Sequence, residues 1–213
     1  MKLNKKTIIL TLIVTLLPMI AGLILWNKLP DTIATHFDAN NNPNGWSSKA
    51  FTVFAIPAIM AALQMILLFA TRTDPRRNNI GIKGFRIVLW IIPVCAVIVG
   101  AVTYLNALNI KIKIGMIITI FVGILLILIG NYLPKNKTNY TFGVRTPWAL
   151  NDEQNWAFTN RIGGYCYTIA GVLIILLSYP ENFWLLLIIV FLASLIPFAA
   201  SFIYYRKHND ELS

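Results

Sequence analysis

The amino-acid sequence predicts an all-α integral membrane protein with six transmembrane helices in a single membrane domain, residues 1–213. Hydrophobic residues make up 57% of the 213 residues and charged residues only 12%, about half the charged fraction of a typical soluble domain. Because backbone groups in lipid must be satisfied within their own segment, apolar runs of about 20 residues are expected to be helices. Six runs approach or exceed this length: Thr7–Leu25, Ala50–Ala70, Phe85–Leu108, Ile112–Leu133, Gly164–Tyr179 and Phe183–Tyr205.

The distribution of positive charge predicts the orientation of these helices. The net charge is +10, and with the N-terminus in the cytoplasm 14 of the 18 lysines and arginines fall on the inner side and 4 on the outer side. This asymmetry is typical of multi-pass proteins and places both termini in the cytoplasm. It favours contact with anionic lipid headgroups over direct nucleic-acid binding. The first run has no small-residue cleavage site after it, so we expect it to be retained.

The first outer connection, Trp26–Lys49, is here called the hairpin loop. Thr32–Phe37 alternates roughly between apolar and polar residues, and Asn40–Gly45 is dense in turn residues. The stretch Gly45–Ser48 can return as a second short strand. A small β-hairpin at the outer membrane surface is therefore expected.

Two features of the helical runs predict how they pack, and one loop between them predicts topology. Gly115, Gly123 and Gly130 recur on the fourth run, which places small residues on one face and favours close helix packing. Gln64, in the second run, is expected to hydrogen-bond a neighbouring helix instead of lining a pore. The connection Thr71–Gly84, here called the basic loop, is rich in turn residues and is expected mainly to fix topology.

The longest polar interruption is Asn131–Gly164, here called the signature segment. Pro134, Gly143 and Pro147 prevent one continuous helix across its first half. Within that half, Tyr140–Val144 is expected to be extended. The segment is much longer than the usual link between membrane helices, which makes it the best candidate for function.

A helix is expected in the second half of the signature segment. Asn151 is a good N-cap, and Gln154 stands three residues later at capping-box spacing. This helix carries Trp156 and Arg161 to the Gly163-Gly164 pair, where it either kinks or continues into the fifth span.

The helix interiors hold no Asp, Glu, Lys, Arg or His away from their ends, whereas proton-coupled transporters and intramembrane proteases generally need such groups. Cys95 and Cys166 are expected to be buried free thiols. His36, flanked by Asp31 and Asp38, could belong to a metal or general-base site, but a surface histidine is the favoured interpretation. We therefore expect no catalytic residue, no metal and no cofactor.

The core of the signature segment admits two interpretations. Arg145 beside Trp148 can bind a carboxylate or phosphate and stack on an aromatic ring, which is typical of a docking site for a protein or a lipid headgroup. Alternatively, Arg145 and Arg161 are tied locally to acidic residues or helix carbonyls, and the tryptophans anchor the membrane interface. The residues alone do not separate these interpretations.

Residues in both polar regions carry a resemblance to a known protein family. In the signature segment the resemblance is carried by Gly130-Asn131, Asn139, Gly143–Leu150, Trp156, Asn160 and Arg161. In the hairpin loop it is carried by Leu29-Pro30, Ile33, His36-Phe37, Gly45 and Lys49. These residues resemble those of the SdpI family of bacterial membrane immunity proteins. Together with the six-helix layout, the similarity extends over essentially the whole chain.

The resemblance implies a non-enzymatic protein of the bacterial plasma membrane with two activities. One is protection of the cell from a secreted peptide toxin. The other is signal transduction, in which the toxin-engaged protein holds a cytoplasmic transcriptional repressor at the membrane. A small-molecule or peptide transporter or exporter is the main alternative, and a membrane enzyme is a further one.

The two regions are expected to divide these contacts between them. The residues expected to meet the inner partner are Asn131, Asn139, Gly143, Arg145, Thr146, Pro147, Trp148, Trp156, Asn160 and Arg161. The residues expected to face the toxin are Pro30, His36, Phe37, Gly45 and Trp46. The tryptophans and arginines have the composition of an interaction hot spot.

Overall fold

The computed structural model describes residues 5–179 and 182–210, and it is helical apart from one β-hairpin. The elements follow in the order α1 (Lys5–Ile24), β1 (Thr32–Phe37), β2 (Pro43–Ser48), α2 (Ile56–Thr73), α3 (Ile82–Ala107), α4 (Ile114–Tyr132), α5 (Pro147–Asn151), α6 (Glu153–Leu176) and α7 (Phe183–Asp210). One π-helical turn, Phe51–Ala55, precedes α2, where Pro57 lacks the N–H that an α-helical bond would use.

Within the described residues, five helices are long and apolar enough to cross a bilayer: Lys5–Ile24, Phe51–Thr73, Ile82–Ala107, Ile114–Lys135 and Phe183–His208. The all-α membrane class is thus confirmed. The predicted span Gly164–Tyr179 lies mostly in α6, which is not among the five because it begins in the polar signature segment at Glu153. This helix runs through the Gly163-Gly164 pair without interruption.

The chain divides into two compact units, residues 1–70 with 88–114 and residues 71–87 with 115–213. The core of the first unit is formed by Leu29, Ile33, Val53 and Tyr104. Gln64 is 1% exposed and accepts a hydrogen bond from the Thr15 hydroxyl of α1. The expected role of Gln64 in joining helices is thereby confirmed.

The predicted β-hairpin is present in the first unit. Strands β1 and β2 pair antiparallel, from Thr32 opposite Ser48 to Phe37 opposite Pro43, with irregular register around His36. At the turn, the Asp38 carboxylate accepts hydrogen bonds from the backbone N–H groups of Asn42 and Asn40, both at 2.8 Å. The bond from Asn42 is the larger cause of the lowered pKa of Asp38.

In the second unit, α4 and α6 approach closely through glycine. Gly123 lies against Gly171, and Gly130 lies against Gly164 and Thr168. Gly123 and Gly130 are buried, as their predicted packing role requires, whereas Gly115 is only half-buried. Cys95 and Cys166 are free thiols, as expected, but they are half-buried and not buried.

Candidate functional site

The signature segment begins with the last two residues of α4. It continues as a single 3₁₀ turn, Leu133–Lys135, and then as irregular chain up to α5. No strand forms at Tyr140–Val144, where extended structure was predicted; the chain bends there instead. The reason lies in Asn139, whose side chain replaces the hydrogen bonds of a sheet partner. Its Oδ1 accepts from the backbone N–H groups of Thr141 and Phe142, at 2.9 and 2.7 Å, and its Nδ2 donates to the Phe142 carbonyl at 3.0 Å.

The first turns of α6 hold this irregular chain from the other side. Trp156 is 2% exposed, and its Nε1 donates to the carbonyl of Asn136 at 2.8 Å. Asn160 is fully buried; its Oδ1 accepts from the Val144 N–H at 2.8 Å, and its Nδ2 donates to the Trp156 carbonyl at 3.0 Å. Trp156 therefore supports the segment from within, and its side chain is not available at the surface for the predicted contact with an inner partner.

Gly143 occupies the point where this chain passes closest to α6. Its φ of +147° is rarely adopted by residues with side chains, and a Cβ there would lie 2.6 Å from the Trp156 ring and 2.9 Å from Asn160 Oδ1. Glycine is thus required at this position for two separate reasons.

The basic loop binds the signature segment, a role that the sequence did not indicate. Asp74, 4% exposed, accepts at Oδ2 from the Tyr140 N–H at 2.9 Å and from the Thr141 hydroxyl at 2.8 Å. Asn79 Nδ2 donates to the Thr138 carbonyl at 2.7 Å, and Arg76 Nη1 donates to the Leu150 carbonyl at 3.0 Å. The loop is therefore a structural partner of the segment as well as a carrier of charge.

Asn136, in the signature segment, also hydrogen-bonds to the basic loop. Its Oδ1 accepts from the Gly81 N–H at 2.8 Å, and its side chain fills the space beside Gly84. The two regions together form one hydrogen-bonded platform, here called the loop platform: residues 71–84 and 131–151.

Helix α5 begins at Thr146, which caps it by accepting from the Ala149 N–H at 3.1 Å, with Pro147 at the first helical position. The Thr146 hydroxyl also lies 2.6 Å from the Ser201 hydroxyl of α7. Ser201 in turn donates to Asn155 Oδ1 at 2.8 Å. This buried polar network fixes α5, α6 and α7 to one another.

Trp148 packs onto α7, where it contacts three aromatic rings: Phe198, Phe202 and Tyr205, with ring centroids 5.0–6.0 Å away. It is half-buried, so part of the indole remains available at the surface. The next helix starts one residue later than predicted, because Asp152, rather than Asn151, caps α6 by accepting from the Gln154 N–H at 2.8 Å.

Four of the ten predicted inner residues are exposed: Asn131, Arg145, Pro147 and Arg161. Arg145 donates to the Tyr140 carbonyl, and Arg161 has no hydrogen-bond or ion-pair partner within residues 5–179 and 182–210. Neither arginine pairs with Asp152 or Glu153, so the ion-pair form of the local interpretation is wrong. The structure therefore presents two exposed guanidinium groups on a rigid, internally satisfied support.

The predicted outer residues lie on the hairpin loop. Trp46 is 61% exposed, Pro30 and His36 are exposed, and Phe37 and Gly45 are half-buried. His36 Nδ1 is hydrogen-bonded to Asn44 Oδ1, and a Cβ on Gly45 would lie 2.9 Å from His36 Cβ. In the described part of the chain, no three His, Cys, Asp or Glu side chains come together as metal ligands.

Lys49 anchors the end of the hairpin loop. Its Nζ lies 3.1 Å from Asp31 Oδ1 and donates to the Leu29 carbonyl at 3.0 Å, and it also sits 5.3 Å from the centroid of the Trp26 ring. The Lys49 side chain is 16% exposed, while that of Asp31 is 98% exposed. The carbonyl bond and the ring contact are therefore expected to matter more than the solvent-screened ion pair.

Replacing Lys49 with methionine keeps the side-chain volume but removes the donor. We expect the local stability of the hairpin to fall by about 1.5–3 kcal/mol, the range for a hydrogen bond to a charged group. Hydrogen exchange of the β1 and β2 amides measures this change. Lys28→Met, at an exposed lysine, is the matched control, and Asp31→Asn is expected to have little effect. An equal effect of Asp31→Asn and Lys49→Met would show that the ion pair dominates instead.

Comparison with known proteins gives matches that include the hairpin loop and most of the signature segment. The model of the SdpI/YfhL protein family matches residues 135–201, and that of a domain of unknown function, DUF1648, matches residues 13–61. Immunity protein SdpI of Bacillus subtilis (strain 168) is 31% identical over 212 residues, which cover 96% of this chain and 98% of that protein. No solved structure matches.

Proposed function

The chain belongs to the SdpI family, and we propose that it is a membrane immunity protein that protects its cell from a secreted peptide toxin. The observation that carries this proposal is the near full-length similarity to an immunity protein. That similarity includes the hairpin loop and the signature segment.

We further propose six membrane crossings with both termini in the cytoplasm. Five helices are long and apolar enough to cross. The sixth crossing would be the second half of α6, residues 162–176, which contains no charged residue and follows Arg161. This arrangement places 14 of the 18 lysines and arginines on the inner side. Cysteine-accessibility mapping at Lys28, Lys137, Tyr179 and Lys207 tests it, since the first and third must react from the outer side and the second and fourth from the inner side.

In this topology the hairpin loop faces outward and is proposed to meet the toxin. The exposed Trp46 ring suits a hydrophobic peptide at the membrane surface, where indole is favoured. Because Trp46 is 61% exposed, replacing it should change folding stability by less than about 0.5 kcal/mol. A loss of protection in Trp46→Ala would then report on contact with the toxin.

The loop platform, together with Arg161 of the adjoining helix α6, is proposed to face inward and to hold the cytoplasmic repressor that signalling requires. Support comes from Arg145 and Arg161, which are exposed, and from the half-exposed Trp148 between them in sequence. The buried residues of the segment hold these groups in place, and a rigid support lowers the entropic cost of binding.

The test is survival and reporter induction in a toxin-sensitive bacterium that expresses this chain. We expect Arg145→Gln with Arg161→Gln to keep protection and to lose most of the toxin-dependent induction. Lys137→Gln removes a cation from the same segment and is expected to leave both readouts unchanged. If the double arginine variant induces normally, the platform is not the site of repressor binding. If the unmodified chain gives no protection against the toxin, the immunity proposal itself fails.

The transporter alternative makes a different prediction in the same cells. Export would lower the amount of cell-associated toxin and would require an ion gradient. Protection that persists after the gradient is collapsed, with unchanged cell-associated toxin, would exclude export.

A further inference from the structure

An apolar groove of about 210 Å³ lies between α6 and α7. Its floor is formed by Ala170 and Ala193, and its walls include Cys166, Ile169, Leu173 and Ile196. The groove exists because two alanines face each other where the surrounding positions carry larger side chains. Although these helices make extensive contact elsewhere, they leave this space open along their length.

The groove lies about halfway along α7, a helix that is long and apolar enough to cross a bilayer. Helices α6 and α7 run antiparallel. Gln154, near the start of α6, accepts a hydrogen bond from Tyr204 of α7, whereas Cys166 and Ala170, further along α6, line the groove with the earlier α7 residues Ile196 and Ala193. An apolar cavity of roughly 150 Å³ in a protein stays dry and takes up a small hydrocarbon. A larger apolar groove within the membrane is accordingly expected to hold hydrocarbon.

Positive charge stands at one end of this groove. On α7, Ile196, Ala200, Ile203 and Lys207 recur at three- and four-residue spacing and so share one face. Lys207 lies eleven residues beyond Ile196, a rise of about 16 Å along the helix. This distance matches an amphiphile whose tail lies in the groove and whose head lies at the membrane surface.

Arg161 adds a second cation at the same end. It precedes Cys166 by five residues, a rise of about 7.5 Å, and Arg161, Tyr165 and Ile169 follow one another along α6 at four-residue spacing. Arg161 and Lys207 are both exposed, and within residues 5–179 and 182–210 neither has a hydrogen-bond or ion-pair partner. The carboxylates of Asp152 and Glu153 do not pair with them.

We propose that this groove binds one acyl chain of an anionic glycerophospholipid, whose phosphate contacts Lys207 and Arg161. The lipid comes from the leaflet at the C-terminal end of α7. A guanidinium and an ammonium group both suit a phosphate. The proposal needs only the membrane position of these helices and stands independently of the immunity function.

The first test is lipid selectivity of the full chain in nanodiscs that contain equal amounts of phosphatidylglycerol and phosphatidylcholine. Lipid retained by the purified protein is measured by native mass spectrometry. We expect phosphatidylglycerol to be enriched, and the enrichment to fall about fivefold for each cation removed in Arg161→Gln and Lys207→Gln. The control Lys83→Gln with Arg86→Gln removes two exposed cations elsewhere in the same unit and should keep the enrichment.

The second test locates the acyl chain through a native thiol. Cys166 lines the groove, whereas Cys95 of α3 is a half-buried free thiol that does not line it. We expect phosphatidylglycerol to slow labelling of Cys166 by a lipophilic maleimide and to leave Cys95 unaffected. The proposal is overturned if phosphatidylcholine protects Cys166 as well as phosphatidylglycerol does, or if the lipid enrichment is unchanged in the variant that carries both Arg161→Gln and Lys207→Gln. It is also overturned if Cys166 is protected only in chemically crosslinked dimers of the chain, since a second copy would then cover the groove.

Discussion

Replacing Asp74 with asparagine is expected to lower the free energy of unfolding by about 2–4 kcal/mol, because one oxygen that accepts hydrogen bonds becomes an NH₂ group. Asp74 is 4% exposed and accepts from three donors: the Arg76 N–H, the Tyr140 N–H and the Thr141 hydroxyl, at 2.7–2.9 Å. Two of them meet the same oxygen, Oδ2. Whichever way the amide turns, at least one donor is left facing an NH₂ group in a buried site.

This loss of stability is expected to extend across the loop platform. Asp74 is the only carboxylate in the basic loop, and its bonds connect residues 66 and 67 positions apart in the chain. We expect the melting temperature of the purified protein to fall by roughly 6–12 °C. Limited proteolysis is expected to cut first between residues 136 and 146, where the chain has no regular structure to hold it.

A matched substitution separates this effect from a simple loss of charge. Asp152 caps α6 through its Oδ1, and asparagine caps helices equally well, so Asp152→Asn should change stability by less than about 0.5 kcal/mol. If the Asp74→Asn and Asp152→Asn variants have the same melting temperature, the Asp74 carboxylate is not what connects the basic loop to the signature segment.

The long-range role of Asp74 shows where sequence reasoning stops. Hydropathy and turn composition are local properties, so the apolar runs and the hairpin were predictable from them. The hydrogen bonds of Asp74 and Asn79 cross about sixty residues, and nothing in one sequence reports a pairing at that distance. The available signal was weak: a single acid within an otherwise basic loop.

The signature segment divides in the same way. Its broken character followed from Pro134, Gly143 and Pro147, but the direction of its side chains did not. Trp156 looked like an anchor because tryptophan is common at interaction sites. In the structure, Trp156 and Asn160 lie one helical turn apart, on the face of α6 that is covered by the irregular part of the signature segment. The short helix α5 had a readable start signal, Thr146 followed by Pro147, which the prediction did not use.

The glycine contacts between α4 and α6 are expected to produce the second large effect. A Cβ at Gly171 would overlap the Gly123 carbonyl oxygen and would lie 3.0 Å from the Ile127 backbone nitrogen. Since these neighbours are backbone atoms, they cannot turn aside as a flexible side chain could. Gly171→Ala must therefore push the two helices apart, which also weakens the contact of Gly130 with Thr168.

In lipid, helix association depends on close van der Waals packing, because apolar surface gains nothing by leaving hydrocarbon. We expect Gly171→Ala to cost about 1–3 kcal/mol, measured by thermal unfolding in detergent, and to lower the amount of folded protein in the membrane. Gly81→Ala makes the same chemical change where the nearest atom would be 3.5 Å away, and it should be tolerated. If Gly171→Ala were as stable as Gly81→Ala, α4 and α6 would not be held at glycine-to-glycine distance. The signature segment, which connects these two helices, would then depend on the loop platform alone for its position.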